Sequence, residues 1–446
     1  MHIPYRNITH MLLTLIGCLS MSVLSAQSMS LEDCIQYALE HQNSIQNARF
    51  DEYIAEKRVG EILSTGLPQV EGQASVQNNF SLPVFVLPGP DGGVNEVTFG
   101  LPWQATVGAS ANQLVFDGTF FLGVRAAKIF VEISEKSLNR TQEEIAYRVS
   151  QAYYQALSAK AQQDLISANL NRVDKLWKET QVLFETGFAE KIDAERLEIN
   201  HNSLEIQLSR IERLAETTTD LLKFQMGMPV TEPLTLLTEN TERAAETPQL
   251  EKVEEFDLSQ RIEYQILETQ RELETYNMRR YQVGHLPSLY AFANYSWNKQ
   301  WDFSVDSIDV NYTNGTVGLQ LNIPIFDGFR KSRLAQQSKL AIKKIDNDLE
   351  DFENATRMEL KNSHRSYLNA WQSLESLKKN KALAEKVFNI ATTKYKEGVG
   401  SSLELNDAEN TLKESEAQYV NGLFEYYLAR LDWQKARGDL SKYHRE

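Results

Sequence analysis

Residue types that do chemistry are present in this 446-residue chain, but not at the spacings catalysis needs. The seven histidines, at 2, 10, 41, 201, 285, 364 and 444, lack metal-ligand spacing, and no HExxH, GxxxxGK[ST] or strand-linked GxGxxG occurs. No enzyme, no metal and no cofactor is expected. Glu404 and Asp407 lie three residues apart and so on one helix face. Their chemistry would be electrostatic, unless they are simply two solvated carboxylates near a helix start. Lys and Arg total 46 against 61 for Asp and Glu, a net charge of -15 that offers phosphate backbones no general attraction and excludes a nucleic-acid partner.

The elements that would position such residues are legible in the distribution of proline and charge. Arg6, the apolar stretch from Met11 to Leu24 and the small pair Ser25-Ala26 read as an export signal over residues 1–26. Leu15-Ile16-Gly17-Cys18 resembles a lipobox, so Cys18 is either removed or becomes an acylated amino terminus. Cys34 then has no disulfide partner and reads as a small buried hydrophobe on a helix. Proline is missing from 103–228 and 325–446, which permits long helices there. Asp, Glu, Lys and Arg are missing from 72–90, 97–116, 281–298 and 310–326.

Those four stretches alternate with period two. Val70, Ala74 and Val76 oppose Gln69, Gln73, Ser75 and Gln77, and the others follow suit, as strands with one apolar and one neutral polar face do. Trp103, Tyr295, Trp297 and Trp301 are expected near strand ends, as in the aromatic girdle of a membrane β-barrel. Four strands cannot close a barrel, since about eight is the smallest number. The barrel must be shared between chains.

The helical regions carry heptad seams. From Ile145 through Val149, Ala152, Ala156 and on to Phe184, the seam positions are apolar at all but Gln163 and Thr180. The same order of motifs appears twice: Leu67-Pro68 and Leu286-Pro287, Phe116-Asp117-Gly118 and Phe326-Asp327-Gly328, then turn glycines Gly187 and Gly398. Gly118 and Gly187 are 69 residues apart, and Gly328 and Gly398 are 70 apart. The expected organisation is a first repeat over 27–228 with a hairpin at 69–116, a linker over 229–257, and a second repeat over 258–446 with a hairpin at 288–324. Each repeat reads helix, strand, loop, strand, long helix, turn, helix. Residues 83–97 and 300–310 are expected to be hairpin loops, and Asp117 and Asp327 to cap the long helices.

The run Leu31-Glu32-Asp33-Cys34-Ile35 with Ala38-Leu39, Gly66-Leu67-Pro68 before a strand, the paired Phe-Asp-Gly and the series Tyr395, Gly398, Leu403, Leu405, Asp407-Ala408 resemble the TolC-type outer-membrane efflux family. The resemblance covers about 31–440. It implies a mainly α chain with four β-strands, a homotrimer with a 12-stranded barrel among outer-membrane lipids, and long antiparallel coiled coils forming a periplasmic α-barrel. It also implies an export channel in a Gram-negative outer membrane, served by a periplasmic adaptor protein and an inner-membrane transporter. By that resemblance Glu404 and Asp407 would form acidic rings at the periplasmic gate, Asp193 and Tyr395 would contribute to a lock between helix pairs, and Gly187 and Gly398 would mark the adaptor-facing tip. Gly400 departs from relatives that carry a basic residue there. The alternative reading is a periplasmic coiled-coil scaffold that never spans the membrane.

Overall fold

The computed structural model describes residues 27–89, 92–237, 256–303 and 309–440. The export signal with Cys18, and most of the inter-repeat linker, fall outside these. The elements in order are β1 (Gln27–Met29), α1 (Leu31–His41), α2 (Asn43–Ser64), β2 (Gln69–Asn78), β3 (Val84–Pro88), β4 (Val94–Thr98), β5 (Trp103–Phe116), α3 (Gly118–Glu185), α4 (Lys191–Met226) and β6 (Leu234–Leu236). A short 3-10 turn (Leu258–Gln260) leads to α5 (Ile262–Val283), β7 (Ser288–Trp301), β8 (Asp309–Asn322), α6 (Arg330–Lys396) and α7 (Ser402–Ala436). No described helix is long and apolar enough to cross a membrane.

The chain divides into two compact units, one of Met1–Asn47, Asn139–Asp257 and Ala355–Glu446, the other of Ala48–Leu138 and Leu258–Asn354. Helices α3 and α6, of 68 and 67 residues, contribute to both. At 1.5 Å per residue each is about 100 Å long. Such length requires tertiary support. The apolar seam supplies it: Ile145, Val149, Ala152, Ala156, Ala159 and Val173 are buried on α3, and Leu360, Tyr367, Ala370, Leu374, Ala384, Phe388 and Ala391 on α6.

In the second unit β2, β5, β7 and β8 form an antiparallel sheet in that order, leaving β2 and β8 as open edges. Register aligns the side chains into two uniform faces. Val70 pairs with Ala111, Ala111 with Ala293 and Ala293 with Val317, while Val107 pairs with Trp297. The opposite face aligns Gln77 with Gln104, Thr106 with Asn298, and Asn294 with Thr316. There Gln77 Nε2 donates to Gln104 Oε1 at 3.2 Å and Thr106 Oγ1 to Asn298 Oδ1 at 2.9 Å.

Residues 83–97, expected to be loop, contain β3 and β4, an antiparallel pair with Val84 opposite Thr98 and Pro88 opposite Val94. Their Val-rich alternation on either side of the sequence Gly-Pro-Asp-Gly-Gly supports strands, a signal hidden by the neighbouring prolines. In the first unit β1 pairs in parallel with β6, Gln27 with Leu234. Three-residue strands carry too little periodicity to be read in advance.

Candidate functional sites: the sheet face and the helical turns

The sheet presents its apolar face unprotected. Val70, Val76, Val107, Val317, Leu319 and Leu321 are each more than half exposed, Val317 at 85%. Leaving such side chains in water forfeits roughly 1.5–3 kcal/mol apiece. A face like this calls for an apolar surrounding. The opposite face is neutral and hydrophilic, suited to line water.

Trp103 and Trp301 are register partners at one end of the sheet, with rings stacked 6.0 Å apart and Phe303 edge-on to both. Tyr295 and Trp297, expected near a strand end, stand instead within β7, paired with Gly315 and Thr313. Charge-free sequence ends at Asn298, but the strand continues because Lys299 Nζ lies 2.9 Å from Asp309 Oδ2 across the β7–β8 pair. Neutralising the charge extends the strand past the point where composition changes.

Asp117 precedes α3 directly, and its Oδ1 accepts from the Thr119 backbone N and Oγ1, each at 2.7 Å. The first of these bonds answers one of the helix's orphan backbone donors, and the second fixes the capping side chain. Asp327 differs. α6 begins at Arg330, so Asp327 stands three residues upstream, and its Oδ2 accepts from Lys331 N at 3.2 Å. Phe329, with φ of 66°, takes up the intervening turn and packs edge-on against Phe326.

In the first unit the two helical turns are built alike. Gly187 and Gly398 adopt φ of 81° and 73°, the left-handed region that glycine enters without strain. Phe188 N then donates to Leu183 O at 2.7 Å, and Val399 N to Lys394 O at 3.0 Å. Both close the helix with the bond from the residue after the glycine back to the last turn. Helix α7 restarts with Ser401 Oγ accepting from Glu404 N at 3.1 Å, and α4 with Asp193 Oδ2 accepting from Glu190 N at 3.3 Å. The residue types at each turn follow from these bonds. At Gly400 a Cβ would fall 2.9 Å from Lys394 Cβ and 3.0 Å from the Tyr395 nitrogen, so this turn leaves little room for a side chain.

The four helices meet beside the turns. Leu176 of α3, Leu197 of α4, Ala384, Phe388 and Ala391 of α6, and Leu405, Ala408 and Leu412 of α7 form one buried cluster, with Tyr395 packed against it. Tyr395 Oη lies 3.4 Å from Thr180 Oγ1, linking α6 to α3. Asp193 accepts from Ser402 Oγ, linking α4 to α7. Each proposed lock residue therefore bridges the two helical hairpins, but each to a hydroxyl that charge patterns did not mark. Thr180 was visible as a polar interruption of the seam; nothing in the sequence marked Ser402.

Glu404 and Asp407 are both exposed. Glu404 Oε1 accepts from Lys394 Nζ at 2.9 Å. With both side chains about half exposed, that pair is worth only about 0–1 kcal/mol. The Asp407 carboxylate has no hydrogen-bond or ion-pair partner among the described residues. No group of three or more His, Cys, Asp or Glu among the described residues could hold a metal.

A four-stranded, two-faced sheet with open edges, continued in the chain by helices of about 100 Å, is the architecture to be compared with known folds. Residues 258–439 match the family model described as outer membrane efflux protein. The outer membrane protein TolC of Vibrio cholerae is 18% identical over 338 residues, 76% of this chain and 77% of that protein. Among solved structures, the outer membrane protein VceC of Vibrio cholerae superposes with a TM-score of 0.71 at 17% identity, covering 92% of this chain and 96% of that one. The Campylobacter jejuni CmeC outer membrane channel gives a TM-score of 0.70 at 16% identity, covering 92% and 85%. The second half of the chain thus matches the outer membrane efflux protein model, and the chain as a whole shares its fold with the outer membrane protein VceC and the CmeC outer membrane channel.

Proposed function

We propose that three copies of this chain join β8 of one to β2 of the next, closing a 12-stranded barrel whose neutral polar face lines a water-filled exit duct. The observation that carries this reading is the sheet itself, apolar on one aligned face, hydrophilic on the other, and open at both edges. Unpaired edges are a liability in a monomer. Closure within a symmetric ring removes them. The exposed apolar face also weighs against a scaffold living wholly in water.

The helices would extend the duct into the periplasm, with the turns at Gly187 and Gly398 at the end facing a periplasmic adaptor and, through it, an inner-membrane transporter that supplies the energy. Glu404 and Asp407, tripled by symmetry, would ring that entrance and favour cations. Asp193 with Ser402, and Tyr395 with Thr180, would hold the hairpins together in the closed entrance. The test is extraction of membranes followed by native mass spectrometry and gel mobility before and after heating. A heat-sensitive trimer in the outer-membrane fraction supports the proposal; a salt-soluble monomer refutes it.

A further inference from the structure

Glu409 sits two residues past Asp407 and is 1% exposed on the stripe of α7 that includes Leu405, Ala408 and Leu412. A carboxylate there must be answered or it destabilises the packing. The answer is incomplete. Glu409 Oε2 accepts from Asn200 Nδ2 of α4 at 3.1 Å, while Oε1 finds no hydrogen-bond donor among the described residues. The nearest cation is Arg172 of α3, whose Nε is 4.0 Å away and is itself buried without an acceptor. Arg172 is engaged elsewhere: Nη2 donates to Glu416 Oε2 at 3.0 Å and to Asn169 Oδ1, and the guanidinium lies 5.3 Å from the Phe388 ring of α6. The carboxylate thus occupies the joint of four helices with a single donor.

We infer that Glu409 is a positioning residue for the entrance: protonated, it lets α7 seat against α3 and α4, and ionised, it loosens that joint. The inference rests on reading the turn end as the duct's entrance. Burial pushes the Glu409 carboxyl above its ordinary value, opposed by the Asn200 bond and by Lys413 and Arg172, and reinforced by Glu416. The charged groups around it are Arg172 on α3 and Lys413 and Glu416 on α7; beside Asn200 on α4, His201 Nε2 lies 3.7 Å from Asp174 of α3. The α6 element presents Phe388, which stacks on Arg172 and carries no charge.

The sign follows from linkage. A carboxyl that holds its proton more tightly when packed than when wet stabilises the packed arrangement at low pH and loses that contribution as pH rises through the packed-state value. Each unit separating the two states' values shifts their ratio about tenfold. Alkaline conditions thus favour whatever arrangement lets water reach Glu409.

Two measurements on the full-length protein in detergent or bilayers test this. Amide hydrogen exchange over residues 405–416, corrected for intrinsic pH dependence, should show protection falling as pH is raised over the range in which the native oligomer persists. In Glu409→Gln, which keeps the shape and the Asn200 acceptor but cannot ionise, protection should stay high across that range. Planar-bilayer currents should rise with pH in the native channel and stay near the acidic level in the variant. A pH-independent native exchange pattern, or a variant that keeps the native pH profile in either assay, overturns the inference and leaves the duct intact. A native protein that shows the exchange behaviour yet never conducts overturns the duct reading instead.

Discussion

An arginine introduced at neighbouring positions of β8 should have opposite consequences. Val317 and Thr316 are adjacent, yet Val317 pairs with Ala293 on the apolar face and Thr316 with Asn294 on the hydrophilic face. Both lie well inside the strand Asp309–Asn322. If the apolar face meets hydrocarbon, Val317→Arg at the midplane costs about 2–4 kcal/mol per chain, or about 6–12 kcal/mol for a symmetric trimer. Thr316→Arg would sit in water and cost little, within about 0.5 kcal/mol of native. Were both faces wet, Val317→Arg would be equally mild, because the native valine is already 85% exposed. Denaturant titration of the heat-sensitive oligomer in lipid vesicles measures the difference directly. Similar stability of the two variants, or greater damage from Thr316→Arg, would refute the assignment of faces.

Other outcomes follow from single sites. Glu404→Ala combined with Asp407→Ala should lower cation selectivity in planar bilayers, because these carboxylates are exposed and Asp407 has no partner among the described residues; unchanged selectivity would remove them from the entrance. Asp117→Ala should destabilise the fold by about 0.5–2 kcal/mol through loss of the α3 cap, and Asp327→Ala by less, since Asp327 stands off its helix start; equal losses in denaturant titration would contradict this. The Cys34 thiol, fully buried and pushed up to about 12 chiefly by burial, with Asp33 adding, should resist Ellman's reagent at pH 8, where only about one molecule in ten thousand carries a thiolate. Rapid labelling of the native protein would show that α1 is open.

The legible parts of the molecule were those with long-range periodicity. The α3 seam is read from twelve positions between Ile145 and Phe184, and none of them is exposed in the structure. The four sheet strands were visible because an apolar row and a neutral polar row cannot exchange residues without losing register. What escaped were features fixed by a few atoms. β1 and β6 are three residues each, and β3 and β4 were masked by flanking prolines. The bridge from Asp193 to Ser402 spans hairpins from opposite halves of the sequence, beyond any local pattern. Glu409 shows the limit best. A carboxylate on an apolar stripe, four residues past Leu405, is visible in the sequence, but only packing reveals that Arg172 is turned toward Glu416 and leaves it half answered.

As proposed, this chain builds a water-filled passage through a membrane. Single-channel recording of the purified oligomer in a planar lipid bilayer tests it most directly. Such a passage gives discrete, cation-favouring conductance steps that disappear when the oligomer is dissociated by heat. A folded, membrane-inserted oligomer that carries no current at any pH or voltage would contradict it.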